Sequence, residues 1–267
     1  MILPYSYFYF QSVLSDEICD KILEIGITKL YDTMDKYGSE ALVATTGDFK
    51  QKGSPVQSKT DQLSLGAMTA TGLKRKGLTI EDVYLRDSSV VFLSNQWLFD
   101  LIWPHIHAAN KQAGWNFEWD YTEELQFTKY TPGQFYGWHA DAGMVPYENY
   151  DPAVHEQLKD ASGKLMFDID GNPLPKESHR TQNIEMAGKT RKLSVTISLS
   201  DPSTYKGGNL KFDLGPHADG KRYHLCKEIR PRGSIIVFPS HVYHQVTPVT
   251  QGTRYSLVAW NLGKPFK

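Results

Sequence analysis

The stretch from Tyr130 to Asp141, reading YTPGQFYGWHAD, constrains this chain more than any other. It sets His139 and Asp141 two residues apart, so on an extended strand both side chains leave the same face. An imidazole beside a carboxylate supplies two of the three ligands of a facial triad, the set that holds Fe(II) while leaving coordination positions open. A lone His-x-Asp pair also arises by chance on ordinary surfaces. The decisive matter is whether the chain offers a third ligand and a group to engage the open positions.

Both are present. About 100 residues later comes FPSHVYHQVTPV, followed by Gly252, Thr253 and Arg254. His244 is the expected third ligand. His241 is its rival, but it follows Pro239 and Ser240 in a stretch read as loop. A short hairpin from His244 through Pro248 and Gly252 is expected to bring Arg254 back on the neighbouring strand, beside the metal. Its planar fork of donors suits a carboxylate, so a dicarboxylate chelating the metal at one end and pairing with Arg254 at the other fits the layout. Ser256 shares strand parity with Arg254 and is placed to add a hydroxyl to the same carboxylate, with a merely packed serine as the alternative.

These residues resemble the Fe(II)/2-oxoglutarate-dependent oxygenases, in particular the prolyl-4-hydroxylase-like branch. The resemblance rests on Tyr130-x-x-Gly133, Tyr136-x-x-His139-x-Asp141, Arg191 through Leu199, Gly207-Gly208, Pro231-x-Gly233-Ser234, and His244-x-Val246-x-Pro248-Val249 with Arg254. It spans about half the chain, from Tyr130 to Trp260. It implies Fe(II) held by His139, Asp141 and His244, 2-oxoglutarate held by Arg254 with Tyr130 as a hydrogen-bond donor, and O2 as oxidant, with ascorbate as a further reductant. It implies hydroxylation of a C–H bond with release of succinate and CO2. The expected substrate is a prolyl residue of a protein or peptide, with a free amino acid or small metabolite as the alternative. Where collagen-type members commonly carry Lys, this chain has Arg254; both are cationic. A 2-oxoglutarate-independent cupin-like metalloenzyme and a non-catalytic binding module remain as rivals.

The rest of the chain supports an α+β, mainly β fold: a double-stranded β-helix (jelly-roll) core with supporting N-terminal helices. One domain over residues 1–267 is expected, with support in 1–120 and core in 121–267. Tyr5 to Phe10 reads as a strand. Ser15 reads as the N-cap of a helix whose Ile18, Ile22 and Ile25 form one apolar stripe. Tyr84 to Leu93 reads as one strand, and Asn95 to Ala113 as a helix that Pro104 should kink or split. Leu125, Phe127 and Lys129 alternate with Gln126, Thr128 and Tyr130, which places the second set toward the pocket. Leu193 to Leu199, Ser234 to Phe238 and Tyr255 to Trp260 are further strands. Gly207-Gly208 reads as a turn. Thr45 to Gly77 reads as loop or flap, and residues 142–190 as a long loop over the site. Asp168 to Asn172 within it reads as a simple turn, since it lacks the later Glu of a calcium loop. His105 and His107 lie in the second helix on opposing sides and cannot share a metal; His155, His179, His217 and His224 read as solvated. Trp138 points away from His139 by alternation.

Bulk properties narrow the partners. A net charge of −1 on 267 residues lacks the basic excess of a general nucleic-acid binder. No apolar run approaches about 20 residues, so no membrane partner is expected. Met1-Ile2-Leu3-Pro4 lacks the basic start of a signal peptide. Two cysteines, Cys19 and Cys226, make no disulfide framework, which suits a cytoplasmic protein.

Overall fold

The computed structural model describes residues 5–38, 42, 86–143, 146–147, 162–166, 185–215 and 222–266. The flap expected over Thr45 to Gly77, most of the 142–190 loop, the Asp168 to Asn172 turn, and His155, His179 and His217 lie outside them. The described part is mainly β, built from antiparallel sheets with two long helices.

Strand β1 (Phe8–Phe10) leads into helix α1 (Asp16–Tyr37). The Ser15 side chain accepts the Ile18 N–H, and Asp16 and Glu17 occupy the first turn, where the helix dipole favours acids. Ile22 is buried, with Ile18 and Ile25 packed beside it, so the stripe read from spacing is the docking face. Gly26 sits on that face directly over the Phe127 ring, where a Cβ would collide with the aromatic carbons.

Helix α2 (Gln96–Gln112) buries Leu98, Ile102, Ile106 and Ala109 at helical spacing. Asn95 holds the cap position without a side-chain capping bond. Of the two outcomes expected at Pro104, the split does not occur: one helix runs through it. Pro104 lies on the exposed face, where water can donate to the Asp100 carbonyl that the missing Pro104 N–H leaves unpaired. His105 and His107 serve packing: the first rings against Phe10 and the second stacks on Trp119.

Fourteen strands follow the chain among the described residues. After β1 come β2 (Arg86–Asp87), β3 (Ser89–Leu93), β4 (Tyr121–Thr122), β5 (Leu125–Tyr130) and β6 (Phe135–His139). Then come β7 (Thr190–Ser198), β8 (Tyr205–Gly207), β9 (Leu210–Asp213) and β10 (Tyr223–Leu225). The last are β11 (Ile235–Pro239), β12 (Tyr243–Val246), β13 (Val249–Gly252) and β14 (Arg254–Gly263). The larger sheet has the order β1-β11-β7-β14-β5-β3, with β4 also on β14; the smaller is β10-β9-β12-β6-β2; β13 and β8 form a separate pair.

Two expectations fail at the crossings between sheets. Tyr84 to Leu93 is not one strand: Arg86 and Asp87 pair with β6 in the smaller sheet, whereas Ser89 to Leu93 pairs with β5 in the larger one. His244 and Arg254 are not on neighbouring strands of a hairpin either. β12 pairs with β6 and β9, β13 with β8, and β14 with β5 and β7, so the chain passes from one sheet to the other between them. Turn residues alone cannot separate a hairpin from an arch, because both need the same Pro and Gly positions.

One face of the larger sheet meets both helices. Leu125, Phe127, Leu193, Ile197, Ile235 and Leu257 join the α1 and α2 stripes in the main core. The opposite parity faces the smaller sheet, and the functional residues stand there.

Candidate active site

β6 and β12 are adjacent, and their register sets His244 directly opposite His139. Each ring is oriented by its own strand. His139 Nδ1–H donates to the Gly137 carbonyl at 2.8 Å, and His244 Nδ1–H donates to the Val242 carbonyl at 2.9 Å. That leaves both Nε2 lone pairs aimed at one point, the arrangement by which backbone carbonyls fix a metal-binding tautomer. Asp141 lies just past β6, held by its backbone N–H on the Ser240 carbonyl at 2.9 Å. Its Oδ1 is 3.5 Å from His139 Nε2 and its Oδ2 is 3.6 Å from His244 Nε2. The three ligand atoms lie within 4.8 Å of one another, and no other such group of His, Cys, Asp or Glu occurs among the described residues. His241 is exposed and rings against Phe266 instead.

Burial alone would raise the Asp141 pKa. The two imidazoles and Arg191 outweigh it and hold the carboxyl well below the usual range. Burial, reinforced by His139, pushes His244 down to about 4 against the opposing pull of Asp141. Two imidazoles presenting lone pairs and one carboxylate are the protonation states a divalent metal requires. The donor set, mixed nitrogen and oxygen gathered in one buried cavity, suits Fe(II) with open positions.

The cavity is walled by both sheets. Gln126, Tyr130, Arg254 and Ser256 come from the larger sheet, and Tyr136, His139 and His244 from the smaller. Arg254 is 3% exposed. Its Nη1 donates to Ser256 Oγ at 3.2 Å, and its guanidinium carbon lies 5.5 Å from the Tyr130 ring centroid. Among the described residues it has no carboxylate partner within salt-bridge distance. The sheet crossing therefore delivers what a hairpin was expected to deliver, by a different route. Gly208, at φ +57°, makes room for it: a Cβ there would stand 2.8 Å from Arg254 Cδ. The turn expected at the Gly-Gly pair is not what the structure has: Gly207 ends β8, paired with Val249, and Gly208 follows it in the short link to β9, where its smallness clears the Arg254 stem.

Other parity readings hold in part. Gln126 lines the cavity, while Thr128 lies buried and accepts from Gln126 Nε2 at 2.9 Å. Trp138 turns outward and stacks with Tyr223 and Tyr243. Tyr136 breaks simple alternation. The β6–β12 register steps three residues on one strand against two on the other, a bulge that puts Tyr136 on the same face as His139. The two rings stack with centroids 3.5 Å apart.

Three features escaped the sequence reading. Arg191 and Glu123 form a bidentate ion pair, with Nε–Oε1 and Nη2–Oε2 both 2.6 Å. Arg191 Nη1 also reaches the Asp141 carbonyl at 3.4 Å, and its guanidinium lies over the Trp260 ring. Tyr147 OH adds a bond to Glu123 Oε1 at 3.2 Å. Glu123 and Arg191 are 68 residues apart, so no local signal joins them. Trp260 shares parity with Arg254 and could have been placed by alternation. The third is Arg86, buried on β2 against the Tyr136 ring.

Comparison with known proteins agrees with this geometry. Residues 125–261 match the 2OG-Fe(II) oxygenase superfamily. A PKHD-type hydroxylase of Sphingopyxis alaskensis is 35% identical over 127 residues, which are 48% of this chain and 38% of that protein. A PKHD-type hydroxylase of a Synechococcus species is 28% identical over 143 residues, 46% of this chain and 62% of that protein. The chain thus spans less than two thirds of the length of these curated relatives. Among solved structures, the viral collagen prolyl hydroxylase of Paramecium Bursaria Chlorella virus-1 in complex with 2OG has a similar fold. Its TM-score is 0.50 at 14% identity, covering 97% of each chain.

Proposed function

The chain belongs to the 2OG-Fe(II) oxygenase superfamily, and from that premise we propose that it hydroxylates a C–H bond with His139, Asp141 and His244 holding Fe(II) and Arg254 holding 2-oxoglutarate. The observation that carries the assignment is Arg254. A buried guanidinium with no carboxylate partner among the described residues, in the same cavity as a three-ligand cluster, calls for an anion from outside the chain. A cupin-like enzyme without 2-oxoglutarate would leave that charge unmatched.

Iron and 2-oxoglutarate, when bound, supply the oxidation of a C–H bond by O2 with release of succinate and CO2. The chain supplies the rest. The carbonyls of Gly137 and Val242 keep the imidazoles in the tautomer that presents Nε2. Ser256 and the Tyr130 ring steady the Arg254 fork, and Tyr130 OH is a further donor for the cosubstrate. Val195, Leu210, Val246 and Val258 give the cavity an apolar wall that keeps water from the reacting carbon.

The two facing antiparallel sheets form, in this reading, a double-stranded β-helix within one oxygenase unit over residues 1–267. The prolyl-4-hydroxylase-like pattern of motifs favours a prolyl residue of a protein or peptide as substrate.

Anaerobic titration of the metal-free protein with Fe(II) and then 2-oxoglutarate tests the assignment through a visible charge-transfer band. The band should need both additions. Ala at His139, Asp141 or His244 should abolish both the band and succinate formation. Arg254→Ala should weaken 2-oxoglutarate binding by roughly 10- to 100-fold, the worth of a charge-assisted hydrogen bond. Succinate formation surviving in all three ligand variants would end the assignment.

A further inference from the structure

We infer that two copies of this chain pair edge to edge through β10, joining their smaller sheets into one. In the order β10-β9-β12-β6-β2, β10 is an end strand, and among the described residues β9 is its one partner. The register sets His224 opposite Phe212. The Leu214 N–H donates to the Arg222 carbonyl at 3.2 Å, and the Cys226 N–H donates to the Leu210 carbonyl at 3.0 Å. Bonded positions of an antiparallel ladder recur at every second residue, so Arg222, His224 and Cys226 turn their backbone groups toward β9. Tyr223 and Leu225 turn theirs away from the sheet. Outward N–H and carbonyl groups on a strand already extended are a template for another strand.

The side chains on this edge leave it open. Tyr223 and Leu225 stand on the outer face of the smaller sheet, 55% and 38% exposed. His224 turns to the other face, where its Nε2 meets the Tyr7 hydroxyl at 2.9 Å. Arg222, just before the strand, is folded onto Asp213 of β9. The end strand β3 of the larger sheet is treated differently: Lys29 of α1 donates its Nζ to the Phe92 carbonyl, and a lysine so placed blocks pairing. The sequence of β10, Tyr-His-Leu, contains no lysine and no proline, and its pairing with β9 has no bulge.

Symmetry selects the occupant. Laid antiparallel on itself about a two-fold axis at His224, β10 sets Tyr223 opposite Leu225 of the second copy, and Leu225 opposite Tyr223. These are the residues with outward backbone groups, so both pairs exchange N–H to carbonyl bonds, and His224 meets its own copy at the non-bonded position between them. The same register lays an aromatic ring beside a leucine twice on one face, a favourable cross-strand pair. Sliding one copy by two residues would keep only one bonded position. Trp138 stacks on Tyr223 with centroids 4.8 Å apart and on Tyr243 at 6.3 Å, so an apolar stripe leads from the junction across the outer face. With three residues a side, the contact falls well short of the roughly 800 Å² per partner of a standard interface, and the dimer is a weak one. No β10 residue is among those lining the metal cavity, so pairing leaves the chemistry untouched.

Sedimentation velocity of the full-length protein, run from micromolar to near-millimolar concentration, tests the inference by mass action. The dimer fraction should rise with concentration, and the Tyr223 and Leu225 amides should gain hydrogen-exchange protection in step with it. Leu225→Lys and Tyr223→Lys each place a charge on the edge and should weaken association tenfold or more, with the Fe(II)/2-oxoglutarate band unchanged. His224→Cys should give a disulfide-linked dimer in air, because this register sets the two copies of that position about 4.5 Å apart at Cα, within reach of a disulfide. Cys19 and Cys226 are buried and do not compete. A monomer at every concentration, amide exchange at Tyr223 and Leu225 that ignores concentration, a dimer that survives both lysine variants, or a folded His224→Cys dimer without the disulfide would each overturn the inference. The wild-type concentration series decides the matter even if a variant misfolds.

Discussion

At the residue scale the site is a set of protonation states fixed by neighbours. His244 is held neutral down to about pH 4, against an ordinary value near 6.5. Unfolded chains therefore bind a proton that the fold refuses, so stability rises with pH across that window. The contribution is full above about pH 6.5 and is lost as pH falls toward 4. Asp141, whose carboxyl is depressed, acts in the same sense at lower pH. Metal-free protein should lose on the order of 2 kcal/mol between pH 6.5 and 5, read from urea midpoints, and His244→Gln should flatten that arm. A flat profile in the wild-type protein would contradict the burial of His244. The thiols give a second check. Burial, aided by Glu228, pushes Cys226 up to about 12, and Cys19 is also raised by burial. Neither should react with a thiol reagent at pH 8 until the protein is denatured.

At the element scale, two close fits hold the sheets and helices where the site needs them. Gly26 costs α1 some helix propensity but lets it lie against Phe127 of β5, whose preceding residue, Gln126, lines the cavity. Gly26→Ala should destabilise by about 1–3 kcal/mol through overpacking, measured by thermal or urea unfolding, instead of the gain Ala gives in an exposed helix. The Glu123–Arg191 pair joins the segment between β4 and β5 to β7, and through Arg191 to the Asp141 backbone. Burial would lower the Arg191 pKa, but the Glu123 carboxylate outweighs it and raises it. Glu123→Ala leaves that charge buried and should cost about 3–5 kcal/mol. Fe(II) affinity should fall as well, because Asp141 loses its brace. Unchanged stability would show that solvent reaches Arg191.

At the scale of the whole molecule, both helices and the larger sheet share one hydrophobic core. The larger sheet presents Leu125 and Phe127 of β5 to the core shared with α1 and α2, and Gln126 and Tyr130 to the cavity. β1 pairs with β11, and α1 covers the same core. Removing residues 1–38 strips a strand and a helix from that face. The shortened chain should show no cooperative thermal transition and no Fe(II)/2-oxoglutarate band; a folded, metal-binding remainder would argue against a single unit. No helix among the described residues is long and apolar enough to cross a membrane.

What the chain specified locally was legible in it. Period-two alternation assigned Leu125 and Phe127 to the core and Gln126 and Tyr130 to the site, because side chains on a strand must alternate. His139-x-Asp141, the choice of His244 over His241, and the Arg254–Ser256 parity followed from the same rule with motif order, and all of these side chains meet in one cavity. What depends on which strand lies beside which was not legible. The change of sheet at Ser88, the arch between His244 and Arg254, and the bulge beneath Tyr136 are tertiary choices, since the same turn residues serve either topology. So are the charges: Arg191 gained its partner Glu123 only when residues far apart in the chain were packed together. The sequence by itself determined which groups could do the chemistry, because residue type and parity are local. Tertiary structure decided which charges meet, because burial and pairing are properties of the assembled sheets.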